Sequence, residues 1–229
     1  MELHTLTIDN IASIRHAEID FMAQPLAGEP VFLICGETGA GKSTILDAIC
    51  LALYNEAPRL ASAKAEKITD DAIPAEKRSE SDSITIGDTR QFLRKGAGEG
   101  SSVLTFSGAD GQEYKAAWSV SRAYGKADGK LKEVSWTLEW GDNMLCAKKE
   151  VRAKIEAVTG MTFNQYCRTT MLAQGEFSKF LKSPENEKAD ILEKLTRTDI
   201  YARIGMKIAR KRKKNDISFN SRWSRRSVS

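Results

Sequence analysis

The sequence predicts an α/β fold: a mixed sheet with an antiparallel meander, built around one largely buried helix that leaves a phosphate-binding loop. Three observations predict it. Val31-Phe32-Leu33-Ile34-Cys35 is a continuous apolar run, the pattern of a strand buried on both faces. It leads directly into Gly36-Glu37-Thr38-Gly39-Ala40-Gly41-Lys42-Ser43, which matches G-x-x-x-x-G-K-[ST] at every position, and a segment of helical period follows. Between Val103 and Trp140, alternating segments separated by glycine-containing turns read as a meander.

In chain order, residues 3–10 and 14–21 alternate weakly, with Leu6, Ile8, Ile14, Ile19 and Phe21, and predict a short antiparallel pair. Pro25, Gly28 and Pro30 mark a loop before the apolar run. Over 42–55, Ile45, Leu46, Ile49, Cys50 and Leu53 cover more than one helical stripe, so this helix is expected to be largely buried. Residues 56–82 lose all period and predict a long exposed loop. The meander follows as Val103–Phe106, Tyr114–Tyr124 and Val134–Trp140. Lys148–Val158 has helical spacing and stops at Thr159-Gly160. Thr162 is placed to cap the next helix, and Ser183-Pro184 pairs a capping serine with proline at the first helical position. Ile191, Leu192, Leu195, Ile200, Ile204 and Ile208 continue a helical period, which ends beyond Lys214.

Composition narrows the class. The 229 residues are 41% hydrophobic and 29% charged, ordinary globular material. There is no run near 18 apolar residues and no basic-then-apolar N-terminal signal, so neither a membrane span nor a secretory signal peptide is expected. Cys35, Cys50, Cys146 and Cys167 form no C-x-x-C pair, which argues against a zinc site or disulfide framework and for a reduced, cytoplasmic setting. Residues 203–229 hold ten Lys/Arg against one acid, while the other 202 residues hold 25 bases and 30 acids. Bulk charge therefore supports nucleic-acid binding only through the tail.

The phosphate-loop motif has a physical reason at each position. Its glycines let the backbone turn so that successive N–H groups point at α- and β-phosphates. Lys42 brings a compact charge to the β/γ oxygens, Ser43 offers a hydroxyl to Mg²⁺, and the helix start adds its positive end. Gly36, Thr38, Gly39, Ala40, Gly41, Lys42, Ser43 and Thr44 are the candidate ATP-binding residues, and Ser43 is a candidate metal ligand. A P-loop hydrolase also needs an acidic group at the end of an apolar strand. Neither Asp9 nor Asp142 has that setting, so no catalytic residue is assigned and the chain holds half of a nucleotide site.

Three blocks resemble a known family. Ile45-Leu46-Asp47-Ala48-Ile49-Cys50-Leu51-Ala52-Leu53-Tyr54 with Ala57-Pro58-Arg59-Leu60, then Thr170-Met171-Leu172-Ala173-Gln174-Gly175-Glu176-Phe177, then Leu192-Glu193-Lys194-Leu195-Thr196-Arg197-Thr198-Asp199-Ile200-Tyr201, are similar to segments of the bacterial SbcC family, the SMC-like ATPase components of SbcCD nucleases. The resemblance covers about residues 1–214. It implies the N-terminal lobe of an ABC-type head over 1–202, the basic start of a coiled coil over 203–214, and a tail over 215–229 without family resemblance, read as a truncated or frameshifted end. Gln174 would then ligate Mg²⁺ and help place the attacking water; a structural alternative is an amide capping a helix end. Arg197 departs from a common family glycine, and nothing is carried over at Ala12.

The implied partners are an SbcD-like metal-dependent nuclease, a second SbcC-like head forming a homodimer, and double-stranded DNA, with no membrane. The implied function is ATP binding in double-strand-break repair, hydrolysis requiring a further lobe, so that the isolated chain turns over little. An orphan non-enzymatic nucleotide- or DNA-binding lobe is the rival. A self-contained P-loop kinase is disfavoured for want of a lid and a second acidic strand. Arg59 could reach a γ-phosphate or be an ordinary surface arginine, and Lys207–Lys214 could grip DNA or begin a solvated helix. Trp118, Trp136, Trp140, Tyr114 and Tyr124 are read as a packed sheet face rather than a base-stacking surface. His4 and His16 are read as unpartnered surface or strand residues.

Overall fold

The computed structural model describes residues 1–29, 31–60, 66–74, 76, 83–169 and 208. The chain divides into two units, Met1–Cys167 and Arg168–Ser229, and the elements below build the first. Gln174, the Ser183-Pro184 cap and the Lys207–Lys214 tract, apart from an exposed Ile208, lie outside the described residues.

The weak alternation near the N-terminus forms β1 (Glu2–Ile11) and β2 (Ile14–Asp20). The meander forms β5 (Glu99–Ser107), β6 (Glu113–Ser121) and β7 (Ser135–Trp140), with a short β8 (Asn143–Leu145) that the sequence pattern did not signal. Together they make a six-stranded sheet in the order β2-β1-β5-β6-β7-β8, every neighbouring pair antiparallel. Strict alternation keeps the register, because a one-residue slip would turn every apolar side chain outward. One row across the buried face runs Leu6–Leu104–Ala116–Leu138, and the next runs Ile8–Ser102–Trp118–Trp136. Trp118, Trp136 and Tyr114 are buried, as a packed face requires, but Tyr124 is 92% exposed.

On this face lies α1 (Lys42–Tyr54), buried from Asp47 to Tyr54. Three sheet side chains bond to it. Ser102 Oγ donates to the Ala48 carbonyl at 2.8 Å, Trp136 Nε1 to the Ala52 carbonyl at 2.8 Å, and Trp118 Nε1 to the Asn55 side-chain oxygen at 2.8 Å. Buried polar atoms on both sides are thereby satisfied, and each fully buried tryptophan or leucine adds roughly 1.5–3 kcal/mol of apolar burial. Asn55, at φ 51, ends the helix in the left-handed region.

The aperiodic stretch after α1 is not wholly loop. A 3-10 turn covers Pro58–Leu60, and β3 (Lys67–Thr69) pairs antiparallel with β4 (Ser83–Thr85). Strands of three residues are too short to show a period. Asp70, just after β3, forms a buried ion pair with Arg122 at 2.6 Å, tying this excursion to the end of β6. α2 (Lys148–Thr159) ends at Gly160, whose φ of 72 is the left-handed stop that the sequence predicts. α3 (Phe163–Thr169) follows, with the Gln165 side chain accepting from the Thr162 N–H at 3.1 Å. Tyr54 packs against Phe163 and Tyr166, holding α3 on α1.

One expectation fails. Val31–Cys35 is not in a strand, and Val31 and Leu33 are 82% and 85% exposed. The run is apolar on both faces and so needs cover on both; here Phe32 meets the Phe21 ring at 5.5 Å and Ile34 is half-buried, while the rest of the run is exposed. Both histidines lie on strands, but with partners. His16 Nδ1 is 2.7 Å from Asp9 Oδ1, and His4 Nε2 is 2.8 Å from Ser107 Oγ.

Candidate phosphate-binding site

Residues 36–40 are exposed, Gly41 is buried and Lys42 half-buried, so the loop presents one face outward from a fixed base. Gly41 caps α1 at φ 90, a conformation that costs an L side chain about 1–2 kcal/mol. A Cβ there would also lie 3.2 Å from the Ile14 side chain and 3.3 Å from Ser13 Oγ. The backbone conformation calls for glycine, a side chain would crowd Ile14 and Ser13, and the turn between β1 and β2 backs the loop at this point. Gly39, at φ 87, lies over open space, so only its backbone conformation demands glycine.

Lys42 Nζ donates to the carbonyls of Gly36 and Glu37, each at 2.6 Å, and straps the loop across its mouth. Because Gly41 caps without a side chain and the first turn of α1 holds no acid, the first helical N–H groups face outward with the positive helix end behind them. Ser43 is exposed on that turn, whereas Thr44 is buried. An open loop with left-handed glycines, an ammonium group and free helix N–H groups fits a polyphosphate. For Mg²⁺ the start of α1 offers the exposed hydroxyl of Ser43, and the described residues hold no group of three or more His, Cys, Asp or Glu placed to hold a metal alone. The ion would therefore take its other ligands from phosphate oxygens and water. Gln174, the other candidate ligand, lies outside the described residues.

The motif pattern did not single out Asp47. It lies one helical turn beyond Ser43 on the same face, and its side chain is only 3% exposed. Burial pushes its pKa up to about 6, with the opposing charge of Arg59 pulling it down. Arg59 Nη2 lies 2.6 Å from Asp47 Oδ2, and its guanidinium sits over the Phe92 ring at 5.6 Å. Arg59 is thus held on the middle of α1 by a buried carboxylate. A lone acid inside an apolar helix, followed by a Pro-Arg turn, was the signal in the sequence.

Behind the loop, the β1–β2 turn is itself fixed. Asn10 and Ala12 adopt φ 50 and 47, the Ala12 N–H donates to the Phe92 carbonyl at 2.7 Å, and the Arg94 N–H donates to the Asn10 carbonyl at 2.9 Å. Arg94 Nη1 completes the clasp on the Ser13 carbonyl at 2.5 Å. The loop, its helix and this turn are therefore one braced assembly.

Comparison with known proteins agrees with this arrangement. The family described as AAA domain matches residues 5–221. The chain is 41% identical over 213 residues to the C subunit of nuclease SbcCD from Rhodobacter capsulatus, covering 91% of this chain and 17% of that protein. It is 40% identical over 209 residues to the same subunit from Pseudomonas aeruginosa, covering 89% and 17%. A protein of Aquifex aeolicus named probable DNA double-strand break repair Rad50 ATPase is 28% identical over 166 residues, covering 72% of this chain and 14% of that one. The chain spans less than a fifth of the length of each of these curated relatives.

Proposed function

This chain belongs to the AAA domain family and resembles part of an SbcC-like ATPase, and from that premise we propose that it binds ATP·Mg²⁺ as one lobe of a DNA-repair ATPase. The observation that carries the reading is the strapped loop: glycines at left-handed φ, Lys42 across the mouth, and an uncapped helix start behind. The backbone of residues 36–44 would cradle the α- and β-phosphates, and Lys42 would exchange its two loop carbonyls for β/γ oxygens. Magnesium, held by Ser43 and Gln174 with phosphate oxygens, would neutralise charge at the phosphates. Ser43 needs no rearrangement for this, being already exposed on the first turn.

Hydrolysis requires an acidic group at the end of an apolar strand, a setting that neither Asp9 nor Asp142 has, so in this reading it depends on a further lobe and on a second head. An SbcD-like metal-dependent nuclease and double-stranded DNA are the remaining partners, and the cytoplasm is the compartment. Cys35, Cys50, Cys146 and Cys167 carry no disulfide, which suits that setting. The domain reading, with a lobe over 1–202, a basic coil start over 203–214 and a separate tail over 215–229, belongs to the same proposal.

Calorimetric titration of the full chain with Mg·ATP tests it. Saturable binding that falls about tenfold or more in Lys42→Ala, at unchanged melting temperature, is expected. No binding to the wild-type chain sinks the reading. Steady ATP turnover abolished by Lys42→Ala would overturn the dependence on other parts, and phosphoryl transfer to a small nucleophile would return the kinase.

A further inference from the structure

Most arginines of the sheet unit have an acid. Arg59, Arg90, Arg122 and Arg152 each lie 2.6 Å from a carboxylate oxygen. Arg15, Arg94 and Lys95 do not, and they converge. With Asn10, Gly96 and Ala97 they line an open cleft of about 440 Å³ that no acidic side chain lines. Arg15 and Lys95 are exposed with no ion-pair partner among the described residues, and Arg94 spends one N–H on the Ser13 carbonyl, leaving others of its fork available. Uncompensated cations held together in a concave site repel one another, a cost relieved by a bound anion.

The cleft does not stand alone. Its wall continues through Gly98, so close to Gly125 that an added Cβ would run into the Gly125 carbonyl, and the Arg122 N–H donates to the Gly98 carbonyl at 2.7 Å. Beyond this contact lies the β6–β7 loop, with exposed Lys126, Lys130 and Lys132 against two acids, Asp128 and Glu133, the second of which faces Arg90 and Lys148 outside the loop. Tyr124 stands in the same loop at φ 56, 92% exposed. A small anion would be served by the cleft alone. A cleft extended by spaced lysines and a projecting aromatic ring matches a polyanion whose charges repeat along a chain and whose sugars and bases offer apolar faces.

We propose that the cleft formed by Arg15, Arg94 and Lys95 seats backbone phosphates of DNA, with the β6–β7 loop carrying the strand onward. This rests on the reading of the chain as a DNA-repair lobe and supplies a nucleic-acid surface within the sheet unit, where overall charge pointed to the tail alone. Arg94 belongs to both features: it lines the cleft and clasps the turn that backs Gly41.

Anisotropy of a labelled DNA duplex, titrated with the full chain between roughly 50 and 200 mM salt, tests the proposal. Arg15→Glu/Lys95→Glu should weaken binding about tenfold or more and lower the slope of log affinity against log salt by about 2, since each lost phosphate contact removes about 0.9. Arg15→Ala/Lys95→Ala gives the same slope change if the charge-reversed pair does not fold. Affinity for Mg·ATP, measured in parallel, should not change. Unaltered DNA affinity and slope overturn the proposal, as does a wild-type chain that does not bind DNA. Loss of ATP affinity with DNA binding intact also overturns it, by giving the cleft to the nucleotide. In the first two cases the ATP titration leaves the phosphate-loop reading standing.

Discussion

Burial holds the Asp47 carboxyl at about 6, against 3.8 for an ordinary aspartate, because Arg59 offsets only part of the lost hydration. A raised carboxyl pKa means that the folded chain holds the proton more tightly than the unfolded one. Its contribution to stability is therefore largest below about pH 4 and is lost as pH rises through 6, at a cost of about 3 kcal/mol. Asp47→Asn is neutral throughout and should flatten this part of the stability profile. Urea unfolding at intervals between pH 4 and 7 checks it; parallel profiles for the two proteins would show that Arg59 compensates in full. The fork of Arg59 also rests on Phe92, so Arg59→Lys should keep charge at Asp47 and lose the stacking, destabilising by about 1 kcal/mol in the same assay.

Among the elements, the segment leading into the phosphate loop makes the sharpest prediction. If Leu33 were in a buried strand, Leu33→Asp would cost several kcal/mol. At 85% exposure the change should stay within about 0.5 kcal/mol in thermal unfolding of this chain. The contrast also shows what the sequence made legible. Periodicity read α1, β5, β6 and β7 correctly because the sheet and α1 cover each other's apolar faces within one unit, in rows such as Leu6–Leu104–Ala116–Leu138. An apolar run reports that a segment wants cover and is silent about which chain provides it, hence the error at 31–35. β3, β4 and β8 were missed because three residues carry no period. The phosphate loop was legible because its residues are contiguous. Arg15 and Arg94 come together only where the β1–β2 hairpin meets the segment before β5, and Asp47 stood out in the sequence only as a lone acid in an apolar helix.

At the scale of the whole molecule, the two anion-facing features share one support. The β1–β2 turn presses on Gly41 from one side and is clasped by Arg94 from the other, so the loop is fixed by the sheet and not only by its own helix. Ligand binding to a loop this well supported should register in global unfolding. Mg·ATP at about a hundred times its dissociation constant should stabilise the chain by about 2.7 kcal/mol, with no shift in Lys42→Ala. A melting scan with and without nucleotide reads both. The indole hydrogen bonds to α1 have a use in the same experiment. Of four tryptophans, Trp118 and Trp136 are buried and bonded to the C-terminal end of α1, whose other end begins at the phosphate loop. Any tilt of that helix must stretch a bond to an indole, and indole emission responds to its hydrogen bonding and polarity. The fold thus carries an intrinsic fluorescence gauge, attached by two N–H groups to the lever it would report.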